Sequence, residues 1–157
     1  MAITEADLEQ ARQAWGDALV AIALAWESDG IEGARTVAGD VIDAAYDYAH
    51  APVLFKPTMA SGEQTFRPTR AGALSYFVAH DPDFPLDGGF ALKGWRSVRS
   101  ETAASFIDGD VAMWMGWVIM TDKDGQVTTV DKSFGYRRDE AGTLRIVLHH
   151  SSLPFTP

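Results

Sequence analysis

Three short turns rich in aspartate and glycine constrain the fold more than any other feature of the chain. They read DGD at 108–110, DKDG at 122–125 and DEAG at 139–142, and they separate four long, largely apolar stretches. Turns of this composition between alternating apolar stretches are typical of β-hairpins. The second half of the chain is therefore predicted to form an antiparallel meander of four long strands.

The first half of the chain has the periodicity of helices. Apolar residues at spacings of seven, four, three and four form one stripe, made of Leu8, Trp15, Leu19, Ile22 and Trp26. This stripe predicts a first helix that ends near Gly30, where a glycine can adopt the left-handed cap conformation. A second helix is predicted over residues 33–50, a short strand over 53–57, and a short third helix within 66–80.

Helices followed by long strands are typical of an α+β domain. A long curved antiparallel sheet wrapped around three helices of the N-terminal half forms a cone with an internal cavity. The 157 residues are enough for one such domain with a sizeable core. We therefore predict a single cone-shaped α+β domain over residues 1–157, in which the apolar stripe of the first helix is buried against the sheet.

Composition excludes several kinds of partner and site. The net charge of −9 disfavours binding to nucleic acid or to an anionic membrane surface. The chain has no cysteine and only four histidines, which argues against disulfides, thiolate nucleophiles and zinc sites. Its acidic start lacks the apolar segment of a secretory signal. We expect a cytoplasmic protein without a metal or another cofactor.

Two histidines and two serines stand side by side at the end of the last strand, at residues 149–152. Neighbouring strand residues point to opposite faces, so the two histidines cannot bind one metal together. His150 and Ser152 alternate in step with the more apolar row of the strand and are predicted to face the cone, whereas His149 is predicted to face outward. His150 could either hydrogen-bond a neighbouring strand or take part in ligand binding or proton transfer.

The order of elements, together with FRPTRAGAL at 66–74 and GYRRDEAGTLRIVLHHSSLP at 135–154, resembles the NTF2-like, or SnoaL-like, superfamily. Within this superfamily, the chain most resembles the association domain of calcium/calmodulin-dependent protein kinase II and its bacterial relatives. The chain also resembles a bacterial group labelled phosphoribosyl-AMP cyclohydrolase, although the genuine cyclohydrolase uses zinc and cysteines that this chain lacks.

The resemblance implies a pocket inside the cone. By alignment with the kinase association domain, the lining residues are Trp114, Gly116, Val118, Asp131 and Ser133. Two of these positions, Val118 and Ser133, hold arginines that bind small carboxylates in the kinase domain. Their replacement implies a largely apolar pocket for a neutral, ring-containing small molecule.

Two classes of function remain open. The first is a small-molecule-binding, homo-oligomeric module of unassigned activity. The alternative is a cofactor-free isomerase or dehydratase of the ketosteroid isomerase type, in which Asp131 acts as the base and His150 as the acid. Trp15 lies where some relatives carry a donor tyrosine, which favours the binding module.

The outer face of the sheet carries its own apolar row. Met113, Met115, Trp117 and Ile119 alternate along one strand, and Val147 adds to the row on another. Such a patch is larger than a soluble monomer usually exposes, and burial against a second copy across a two-fold axis is the simplest way to cover it. We therefore expect at least a homodimer.

Overall fold

The computed structural model describes residues 2–157 and contains two α-helices and a five-stranded sheet. Helix α1 spans Glu5–Ala45 and α2 spans Arg70–Val78. The strands are β1 (Leu54–Lys56), β2 (Trp95–Asp108), β3 (Val111–Asp122), β4 (Val127–Arg138) and β5 (Leu144–Ser152). None of the helices in the described part of the chain is long and apolar enough to cross a membrane.

The predicted meander is confirmed. Strands β2 to β5 pair with their sequence neighbours in antiparallel fashion, and the sheet order is β1-β5-β4-β3-β2. The short strand β1 adds to the edge by pairing in parallel with β5. This arrangement places the carboxyl end of β5 between β1 and β4, so that side chains from all three strands can meet there.

Two of the three predicted helices are the two halves of α1. Gly30 interrupts the helical backbone with φ 71° and ψ −159°, a conformation open to glycine, so the chain bends there and continues as a helix. The second half ends at Ala45 rather than near residue 50, because Tyr46 takes extended backbone angles and bridges to Ile146 of β5. The predicted third helix is α2.

The apolar stripe of α1 covers the concave face of the sheet as predicted. Trp15, Leu19 and Ile22 are buried, whereas Trp26 is half-buried and its ring centroid lies 5.5 Å from that of His80. The ring of Trp15 packs edge-on against Phe134 of β4, with 6.1 Å between ring centroids. The core of the molecule therefore lies between α1 and the strands, at the place where the sequence indicated a cavity.

A β-bulge changes which side chains of β5 face the core. Gly135 of β4 pairs with Leu148 and Tyr136 pairs with Ile146, which leaves Val147 as an extra residue. Beyond a bulge the alternation of faces is inverted. Ile146 is buried before the bulge, and His149 and Ser151 are buried after it. The prediction that His150 faces the cone and His149 faces outward is therefore wrong.

Candidate functional site

The interior of the cone contains a group of polar side chains where β1, β4 and β5 meet. Lys132 is 3% exposed, His149 1% and Ser151 0%. Thr58 and Tyr76 approach them from the segment after β1 and from α2, and Tyr46 approaches from the end of α1. We call these six residues the inner polar cluster.

Lys132 is the centre of the inner polar cluster. Its Nζ donates to Ser151 Oγ at 3.0 Å and lies 2.8 Å from Nε2 of His149. The same nitrogen lies 4.7 Å above the ring of Trp15. Burial lowers the pKa of Lys132 to about 7, although Asp131 acts in the opposite direction. Near neutral pH the amine can therefore exist in both the neutral and the protonated form.

His149 is held between aromatic rings. Its ring centroid lies 4.5 Å from that of Phe55 and 4.5 Å from that of Phe134. Nδ1 lies 2.8 Å from the hydroxyl of Tyr46, and Nε2 faces Lys132. Burial and the nearby Lys132 hold the pKa of His149 well below its ordinary value. The imidazole is therefore neutral at physiological pH and can accept at one nitrogen and donate at the other.

Three hydroxyl groups complete the cluster. The oxygens of Thr58 and Ser151 are 2.5 Å apart. Tyr76 accepts a hydrogen bond from the backbone N–H of Met59 at 3.3 Å, and burial raises the pKa of its phenol, so it stays protonated. Lys56 fixes the backbone of Ser151 by donating to its carbonyl at 2.9 Å. These hydroxyls supply hydrogen-bond donors next to a basic amine, in a site walled by aromatic rings.

The residues predicted from the sequence are divided between the two faces of the sheet. Trp114, Gly116 and Val118 are buried on the concave face, where the indole of Trp114 donates to Thr102 Oγ1 at 2.7 Å. Their predicted ligand-binding role stays a prediction.

Asp131, Ser133, His150 and Ser152 all lie on the outer face. Asp131 accepts a hydrogen bond from Ser152 Oγ at 2.6 Å, and His150 is exposed. The predicted Asp131–His150 pair therefore does not reach the interior, because the bulge inverts β5 and because Asp131 alternates with the buried residues of β4.

Sequence reasoning missed Lys132, His149 and Ser151 as site residues. One available signal was the position of Lys132 in the row formed by Val130, Phe134 and Tyr136. A lysine is rarely buried in an apolar row unless its amine has a specific partner or function. Within residues 2–157, no three histidine, aspartate or glutamate side chains converge in a way that could hold a metal ion.

A sequence model of the family described as "Metal-independent carbonic anhydrase" matches residues 6–153. A protein of that name from Nostoc sp. (strain PCC 7120 / SAG 25.82 / UTEX 2576) is 54% identical over 154 residues, which is 98% of this chain and 75% of the relative.

Solved structures give the same likeness. The crystal structure of the iota-carbonic anhydrase from a cyanobacterium complexed with bicarbonate superposes with a TM-score of 0.98 at 53% identity, over 99% of this chain and 95% of that one. An NTF2-like superfamily protein from Salmonella enterica has a TM-score of 0.56 at 14% identity, over 96% and 91% of the two chains. This second likeness confirms the predicted fold class and carries no information on activity.

These findings correct two predictions. The family likeness of this chain is to the metal-independent carbonic anhydrases, at 54% identity, and not to the kinase association domains or to the proteins labelled as cyclohydrolases. The interpretation as a module of unassigned activity, with a ketosteroid-isomerase-type enzyme as the alternative, is also wrong. The same likeness points to one specific activity instead.

Proposed function

The chain belongs to the metal-independent carbonic anhydrase family, and we propose on that basis that it interconverts carbon dioxide and bicarbonate at the inner polar cluster. The single observation that carries the assignment to this cluster is the buried amine of Lys132, 3.0 Å from the hydroxyl of Ser151. This pair supports a base, the amine of Lys132, and an oxyanion donor, the hydroxyl of Ser151, side by side inside the protein. The proposed ligand is a small molecule, but an anion rather than the neutral ring compound that the sequence indicated.

The polarity of the site suits this substrate. Carbon dioxide is small and without a net dipole, and the aromatic rings of Phe55, Phe134 and Trp15 offer it an apolar wall. Bicarbonate has three oxygens. Thr58 and Ser151 share one hydrogen bond, so their two hydroxyls keep one hydrogen for the ligand, and the hydroxyl of Tyr76 and the protonated amine of Lys132 can supply the other donors. Donors that are fixed before the reaction stabilise the charge that develops in the transition state.

In the hydration direction, the neutral amine of Lys132 acts as the general base. The oxygen of a water molecule forms a bond to the carbon of carbon dioxide while one O–H bond of the water breaks. The proton passes to Nζ of Lys132, and the electron pair of one C=O bond moves onto an oxygen that accepts hydrogen bonds from the hydroxyls. The products are bicarbonate and a protonated Lys132 beside it, and the ion pair lowers the energy of the charged state.

The cycle closes when bicarbonate leaves and Lys132 returns its proton to solvent. A base whose pKa lies near the working pH accepts and releases a proton most effectively over a full cycle. The pKa of about 7 for Lys132 meets this condition. In the dehydration direction the same steps run backwards, with the protonated Lys132 as the acid that converts a bicarbonate hydroxyl into water.

The proposal is tested by stopped-flow measurement of carbon dioxide hydration with the wild type and with Ser151→Ala. Ser97→Ala is the matched control, because Ser97 is an exposed serine on β2, away from the inner polar cluster. We expect the wild type to be active and Ser151→Ala to lose about 100-fold or more in kcat/KM, since one oxyanion donor is worth that much. A wild type without activity, or a fully active Ser151→Ala, would overturn the proposal.

A further inference from the structure

Tyr46 is one of the two members of the inner polar cluster, with His149, for which the proposed reaction has no use. Its side chain is 2% exposed and lies between Trp15 and His149. The indole N–H of Trp15 donates to the Tyr46 hydroxyl at 3.0 Å. An indole N–H can only donate, so the hydroxyl is the acceptor in this bond and must find another partner for its own hydrogen.

That partner is His149. Among the hydrogen bonds of residues 2–157, Nδ1 of His149, at 2.8 Å, is the only possible acceptor for the Tyr46 hydrogen. Burial raises the pKa of Tyr46 well above its ordinary value, so the phenol keeps its proton. Nδ1 therefore carries a lone pair, and the single hydrogen of the neutral imidazole lies on Nε2.

The position of the hydrogen on His149 determines which protonation state of Lys132 is favoured. Nε2 of His149 lies 2.8 Å from Nζ of Lys132, and a hydrogen on Nε2 requires a lone pair on Nζ. A protonated lysine has three donors and no acceptor, whereas a neutral amine has a lone pair. The hydrogens of the neutral amine remain available for Ser151 Oγ at 3.0 Å.

We propose that Tyr46 is a positioning residue, which holds the hydrogen of His149 on Nε2 and thereby favours the neutral amine of Lys132. The inference rests on the proposed function only in its consequence, namely that the neutral amine is the base for hydration, for which rotation about the Cε–Nζ bond turns its single lone pair from Nε2 of His149 to the water. In the state in which Lys132 is protonated, the ammonium can only donate to Nε2, so the single hydrogen of the neutral imidazole lies on Nδ1. Tyr46 Oη then faces two donors, and its own hydrogen is left without an acceptor, which is costly in a buried site.

Other charged groups around Lys132 act on it independently of Tyr46. Desolvation and Lys56 favour the neutral amine, whereas Asp131 on the same strand favours the protonated form. On the side of His149, Lys132 and His150 both disfavour the imidazolium. Tyr48, Tyr76 and Tyr136 raise the pKa of Tyr46 and stay neutral themselves. Removing the Tyr46 hydroxyl changes none of these charges, so its effect on Lys132 can be measured in isolation.

The first test is NMR of the wild type with nitrogen-15 in the histidine ring and carbon-13 in the lysine side chain. We expect His149 to stay neutral while Lys132 titrates, with its hydrogen on Nε2 above the pKa of Lys132 and on Nδ1 below it. A His149 that keeps one tautomer on both sides of the titration, or that becomes an imidazolium together with Lys132, would overturn the proposal. This measurement needs no variant and no enzymatic activity.

The second test uses Tyr46→Phe, which keeps the ring and removes only the hydroxyl. The pKa of Lys132 should rise by about one unit, roughly the worth of one hydrogen bond, and the pH profile of hydration should move upward by the same amount. Tyr48→Phe is the control, because Tyr48 stacks on Tyr46 but donates to the carbonyl of Arg67 and does not contact His149.

The two proposals fail in different ways. An unchanged Lys132 titration in folded Tyr46→Phe would contradict the role of Tyr46 even if the protein hydrates carbon dioxide. A tautomer change in a wild type without activity would support the role of Tyr46 and leave the proposed function in error. If Tyr46→Phe does not fold, the wild-type spectra still decide the question.

Discussion

Nζ of Lys132 lies 3.0 Å from Oγ of Ser151, and both side chains are buried inside the cone. A lysine is seldom buried without a carboxylate partner, because removal of its charge from water is costly. Here the cost is lowered by loss of the proton, and the neighbours of the amine are hydroxyl and imidazole groups.

Replacement of Lys132 by methionine should abolish hydration without unfolding the protein. Methionine has a similar length and fills the same apolar space, but it cannot accept a proton. We expect kcat/KM to fall by about 100-fold or more, the usual contribution of a general base. Stopped-flow hydration assays and thermal unfolding curves measure the two effects. Lys93→Met, at an exposed lysine, is the control and should stay active.

The stability of the protein should rise with pH because of Lys132. Its pKa is about 7 in the folded state against 10.5 for an ordinary lysine, so between these values the unfolded chain binds more protons than the folded one. The free energy of unfolding therefore increases as the pH rises from about 7 towards 10.5, by up to roughly 5 kcal/mol from this one group. Urea unfolding of the wild type and Lys132→Met across this range measures the difference. An equally steep rise in Lys132→Met would contradict the burial of a titrating amine.

Asp87 should be essential for stability. Its carboxylate forms a buried, two-point ion pair with Arg67, at 2.7 and 2.6 Å, and accepts a hydrogen bond from Ser75 at 2.7 Å. Asp87→Asn leaves the guanidinium buried without its counter-charge and should cost about 3–5 kcal/mol. The exposed pair of Arg35 and Glu32 provides the control, since Glu32→Gln should cost less than about 1 kcal/mol. Denaturant unfolding compares the two, and equal costs would contradict this account.

The outer face of the sheet is expected to form a homodimer interface. Met113, Met115 and Trp117 are 47%, 57% and 41% exposed in the single chain, and they lie in one row of β3. Trp117→Asp places a charge in this row and should convert a dimer into a monomer. Leu86→Asp, at an exposed residue outside the sheet, should not. Light scattering measures the mass, and a wild-type mass near 17.1 kDa would contradict the expectation.

The fold could be predicted from the sequence because its signals are local. The Asp/Gly turns define the meander, the apolar stripe defines α1, and alternation along β3 correctly separates buried Trp114 from exposed Trp117. Each of these patterns depends only on residues within one or two elements. A helical period or a hairpin-turn sequence favours the same local structure in any surrounding sequence.

The part of the site that lies on β5 could not be predicted, because one bulge determines which of its side chains face the core. Uninterrupted alternation through β5 predicts His150 and Ser152 on the face that His149 and Ser151 occupy in the structure. The sequence signal for the bulge is Gly135, since a glycine inside a strand often marks a bulge or a close approach. A side chain there would meet Leu148 Cβ at 2.9 Å, so the close packing of β4 on β5 requires this glycine. The contribution of Thr58, Tyr76 and Tyr46 depends on long-range packing that no local pattern reveals.

Whether Lys132 is the base is decided by the pH dependence of carbon dioxide hydration by the wild type, compared with the NMR titration of Lys132 in the same buffer. We expect kcat/KM to rise with pH through a single titration near 7 that coincides with the titration of the Lys132 side chain. A pH profile that does not follow the titration of Lys132, or full activity at a pH where Lys132 is protonated, would contradict this role of Lys132.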